Sequence, residues 1–90
     1  MSAALFLTNP KSAMRSPEQV SMDEWREATA VWGYLTAGQR MMPCIRARVP
    51  MNCVHDCELW VRHWKEIKGG LVWAGYDVAG LIHAAQGLAA

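Results

Sequence analysis

Five side chains able to hold a soft metal fall between positions 44 and 63: Cys44, Cys53, His55, Cys57 and His63. Zinc takes about four thiolate or imidazole ligands converging tetrahedrally, so Cys44, Cys53 and Cys57 with His63 or His55 form a candidate set. The spacing contains no Cys-x-x-Cys knuckle, and Cys57 falls in helical register with Trp60 and Trp64. A reduced thiol on such a stripe acts as a small apolar residue. Packed thiols without metal or cofactor are therefore the expectation, and a zinc-stabilised domain is an alternative. The same residues could be paired as a Cys–His nucleophile. No oxyanion loop, phosphate-binding glycine motif or paired-carboxylate pattern accompanies them, so the chain is not expected to be an enzyme.

A second group mixes charge with aromatic surface. Arg46, Arg48, Arg62 and Lys65 interleave with Trp60 and Trp64, and cations among aromatics are the footprint of a nucleic-acid surface. Here the Trp residues lie on the expected core stripe, which leaves phosphate contact by the four cations as the first alternative, ahead of the zinc-stabilised domain.

The third group is Arg40, Met41, Met42, Ile45, Arg46 and Arg48. Met and Arg are enriched at the centres of protein interfaces, and Met adapts to irregular partners. These six residues are the candidate partner-binding surface. They point to a small non-enzymatic regulator acting by protein–protein contact, an inhibitor or adaptor of a larger complex, with self-association as a further expectation.

Composition sets the bounds. Ninety residues make one domain, and 52% apolar with 19% charged residues describes a globular chain rather than a disordered one. The net charge of +1 supplies no overall field. It divides unevenly: Glu18, Asp23, Glu24 and Glu27 against Arg26 leave residues 16–27 at −3, while six cations against Asp56, Glu58 and Glu66 leave residues 40–68 at +3. The odd number of cysteines excludes a complete disulfide framework. No secretory leader is seen, and the apolar stretch 71–90 is interrupted by Asp77, His83, Gln86 and three glycines. A cytoplasmic protein with no membrane partner is expected.

An all-α bundle of three to four helices would have to position these groups. Residues 1–15 read as an N-terminal arm, Leu5–Leu7 extended and Asn9-Pro10 turning, ahead of a single helical domain at 16–90. Ser16-Pro17-Glu18-Gln19 has the form of a helix start, and Ser21 with Glu24 forms a capping box, with Val20 and Trp25 as its staple. The main first helix is placed at 22–36, its stripe Trp25, Ala28, Trp32 and Leu35, closed by Gly38. Residues 39–50 show no period and are expected to be an irregular connection, with Arg46–Val49 locally extended. Asn52 would cap a second helix at 53–68, with Cys57, Trp60, Val61, Trp64 and Ile67 on one face, ending at Gly69-Gly70, while Leu71–Ala74 either extend one of the flanking helices or lie extended between them. Asp77 would cap a last helix at 78–88 that buries Val78, Leu81, Ile82, Ala85 and Leu88.

Overall fold

A computed structural model describes residues 14–89 in backbone, and side chains through Gly87. All but two residues of the expected arm, Met14 and Arg15, lie outside that range. The architecture is a small all-helical bundle, and no strand occurs among the described residues. A 3-10 turn at Pro17–Gln19 leads into α1 (Met22–Tyr34) and α2 (Ala37–Ala47). A second 3-10 turn at Met51–Val54 precedes α3 (Cys57–Arg62), α4 (Trp64–Trp73) and α5 (Val78–Ala89). Helix α2 packs along α4, and α1 lies against both α5 and α3.

The start of α1 follows its local chemistry. Glu24 N donates to Ser21 Oγ at 3.1 Å, and Ser21 N donates back to the Glu24 carboxylate at 3.3 Å, closing the expected capping box. Arg15 also reaches that carboxylate, Nη1 to Oε1 at 2.9 Å.

The 39–50 segment departs from its expected irregular form. Residues through Ala47 are helical, and the same device starts the helix: Gln39 N donates to Thr36 Oγ1 at 3.2 Å, and Thr36 N to Gln39 Oε1 at 2.9 Å. Gly38 is therefore inside α2 rather than the stop of α1, which ends by Leu35. Two features hide the period: Pro43 sits within the helix, and apolar side chains occur on both its faces. Arg46–Ala47 is helical rather than extended, and Arg48 closes the helix in the left-handed region at φ 57°.

The expected 53–68 helix is also redrawn. Asp56, not Asn52, caps α3, its Oδ1 accepting from Glu58 N at 3.0 Å and Leu59 N at 3.3 Å. A break at His63 separates α3 from α4, and α4 runs through Gly69 and Gly70 to Trp73. Gly70 does not stop the helix because it is the crossing point with α2. A Cβ there would stand 2.1 Å from the Pro43 carbonyl oxygen, so only a glycine lets the two backbones meet.

The core is formed by Val20, Ala28, Val31, Leu35, Cys44, Val54, Trp60, Val61, Trp64, Ile67, Leu71, Leu81 and their neighbours. Of the four Trp expected inside, Trp60 and Trp64 are fully buried, with ring centroids 6.0 Å apart. Trp25 and Trp32 are half-buried at the edge of the core. Each buried indole finds an acceptor: Trp60 Nε1 donates to Ala28 O at 3.0 Å and Trp64 Nε1 to Glu27 Oε1 at 2.7 Å.

Candidate functional site: the outward face of α2

Helix α2 has two apolar sides. Pro43, Cys44 and Ala47 are buried against the core, Pro43 and Ala47 where α4 crosses. On the opposite side Met41, Met42 and Ile45 are 46%, 47% and 51% exposed. Steps of three and four residues put Met41 and Met42 beside Ile45 on one surface. Beside Met41 a shallow cleft of about 380 Å³ opens toward Met51, Asn52, Val54, His55 and Asp56.

The six expected partner-binding residues divide. Met41, Met42, Ile45, Arg46 and Arg48 are exposed. Arg40 is turned inward: its Nε donates to Trp32 O at 2.8 Å, its Nη1 to Val54 O at 2.8 Å, and its guanidinium lies 3.7 Å from the centroid of the Trp32 ring. It ties α1 to the 51–54 turn through α2, which makes it a structural staple.

The four cations of the nucleic-acid alternative also divide. Arg62 Nε donates to Arg15 O at 2.8 Å while its Nη1 lies 3.7 Å from Glu58 Oε2, so this side chain is committed to holding the N-terminal segment against α3. Arg46, Arg48 and Lys65 are exposed, two at the end of α2 and one on α4.

The thiols fit a core role. Cys44 and Cys53 are fully buried and Cys57 partly so, all three in the free state. Burial pushes the Cys44 thiol up to about 12 and the Cys53 thiol up to about 11, and it raises Cys57 as well. Among the described residues no three His, Cys, Asp or Glu side chains are grouped so as to hold a metal ion. His63 is buried at the α3–α4 break, where desolvation lowers its pKa, while His55 is exposed at the cleft.

The sequence reading missed a second exposed apolar site. Val72 and Trp73 at the end of α4 are open to solvent, Trp73 by 78%. With residues 71–74 open between extending either helix and lying extended, no face is assigned to Val72 and Trp73 from sequence; they belong to the last turn of α4. No helix among the described residues is long and apolar enough to cross a membrane. No family model, curated protein or solved structure matches the chain.

Proposed function

We propose that this protein is a non-enzymatic binding module that regulates a larger complex by protein–protein contact, and that the outward face of α2 is its contact surface. The observation that carries this reading is the pair of apolar sides on one helix. The inner side is used by the fold, and the outer side places Met41, Met42 and Ile45 together in solvent. Single exposed apolar residues are ordinary, but a cluster bordered by charge is a feature of contact sites. The cleft beside Met41 offers a seat for one anchoring side chain of a partner. Chemistry at the cysteines is disfavoured by the same geometry, since burial holds Cys44 and Cys53 as thiols rather than nucleophilic thiolates.

The test is affinity capture from the source cells, comparing the native chain with the Met41→Asp, Ile45→Asp double variant, followed by direct binding with the purified captured protein. A carboxylate at the centre of a contact would be desolvated without a partner. The variant should lose the captured protein while melting like the native chain. Equal capture by both removes α2 as the contact surface.

A further inference from the structure

Most cations among the described residues have a partner within the chain. Arg15 pairs with Glu24, Arg26 with Asp23, Arg62 with Glu58 and Lys68 with Glu27, while Arg40 lies on Trp32. Among the described residues Arg46, Arg48 and Lys65 have no ion pair, and two of those three stand at the C-terminal end of α2. Arg46 is one helical turn beyond Met42, so it borders the exposed apolar face. Helix α2 itself carries no carboxylate.

Arg48 adds an independent observation. Arg48 N donates to Ile45 O at 3.1 Å and Val49 N to Cys44 O at 3.2 Å, the closing pattern that places the intervening residue in the left-handed region. Glycine occupies that conformation without strain, and a long side chain does not. The negative end of the helix dipole explains a cation near this terminus, and Arg46 already supplies one. It does not explain why an arginine stands at the residue where glycine would be more stable. Strain retained at a surface residue points to use of its side chain.

We infer that the partner segment seated on α2 is an acidic amphipathic helix, its apolar side chains on Met41, Met42 and Ile45 and its carboxylates against Arg46 and Arg48. This rests on the contact reading above and specifies the chemistry of the occupant. The binding mode is an apolar helix face laid on a complementary surface, with flanking charge setting the choice of partner.

The probes are two fluorescent peptides of about 18 residues, long enough to hold a helix. Both carry Leu at the same i, i+3, i+4 and i+7 positions, and they differ only in Glu or Lys on the flanks. Anisotropy titration with the full chain should show the Glu peptide binding about ten-fold tighter than the Lys peptide, as two partly exposed ion pairs allow. Arg46→Glu with Arg48→Glu should reverse that preference. Arg48→Gly should raise the melting temperature and yet weaken the Glu peptide about three-fold, a combination that a purely structural arginine would not give.

Equal affinity for the two peptides, no affinity for either, or a preference that survives the charge reversal overturns the assignment. So does self-association of the native chain that Ile45→Asp abolishes, which makes a second copy the occupant. Tighter Arg46- and Arg48-dependent binding of generic duplex DNA than of the Glu peptide overturns it in favour of phosphate contact. If Met41→Asp with Ile45→Asp abolishes binding of both peptides while the charge reversal changes neither, the contact surface stands and only its acidic partner is lost.

Discussion

Gly70 of α4 lies directly on the carbonyl of Pro43 in α2, so close that a methyl group built on it would meet the oxygen at 2.1 Å and the carbonyl carbon at 3.0 Å. Its neighbour Gly69 faces open space. Two adjacent glycines in one helix thus make opposite predictions. Gly70→Ala must separate the two helices and should destabilise the fold by about 1–3 kcal/mol. Gly69→Ala meets nothing and should stabilise it by roughly 0.5–1 kcal/mol through helix propensity alone. Urea unfolding of the two variants checks the pair; equal effects would mean that α2 and α4 do not cross at this point.

The same two glycines show what could be read from sequence. Gly69-Gly70 has the composition of a helix stop, and only the tertiary crossing with Pro43 reveals why the helix passes through it. Trp60 and Trp64, in step with Val61 and Ile67, announced their burial because a helix with one apolar side has a clear period. Helix α2 was illegible for the opposite reason: Met41, Met42 and Ile45 outside and Cys44 and Ala47 inside leave no period, and Pro43 argues against a helix. Thr36 and Gln39 form the one local signal that would have revealed it. The surface residues of the candidate site were found by composition alone, which cannot distinguish Arg40, folded onto Trp32, from the exposed Arg46 and Arg48.

Trp60 is fully buried and its indole donates to Ala28 O, joining α3 to α1. Trp60→Ala should therefore cost about 3–5 kcal/mol, a large share of the stability of a small domain. A thermal melt should show loss of the cooperative transition or a marked fall in its midpoint. Trp73→Ala, at the most exposed of the five tryptophans, should leave the melt nearly unchanged.

Stability should fall in acid through two groups. The hydrogen bond from Arg15 holds the Glu24 carboxyl at about 2, below its ordinary 4.5. A carboxyl lowered on folding contributes stability that is present above pH 4.5 and is lost as the pH falls toward 2. Glu24→Gln keeps a capping side chain without the charge, so it should be less stable than the native chain at pH 7 and converge with it near pH 2. Desolvation lowers His63 below its ordinary 6.5, so the folded state favours the neutral ring and stability declines as the pH drops below 6.5. Unfolding curves from pH 7 to 2 read both limbs, and a constant gap between native and Glu24→Gln chains would contradict the Arg15 pairing.

The thiols give a chemical readout of the core. At pH 8 a disulfide reagent should modify the partly exposed Cys57 first. Cys44 and Cys53, buried and held far above that pH, should react only as fast as the chain unfolds. EDTA should leave the melting temperature unchanged. A melt lowered by the chelator, or one zinc per chain in elemental analysis, would restore Cys44, Cys53, Cys57 and His63 as a ligand set.

The most direct measurement of the contact surface is methyl NMR of the chain labelled at its methionines, titrated with the purified protein that it captures. The ε-methyl resonances of Met41 and Met42, which stand on the outward side of α2, should shift or broaden on binding, with Met51 across the cleft following them. Met22, exposed at the start of α1, serves as the internal control and should stay in place. Unmoved Met41 and Met42 signals, with the perturbation instead at the Trp73 indole N–H in a matching titration of uniformly 15N-labelled chain, would contradict the account and transfer the contact surface to the end of α4.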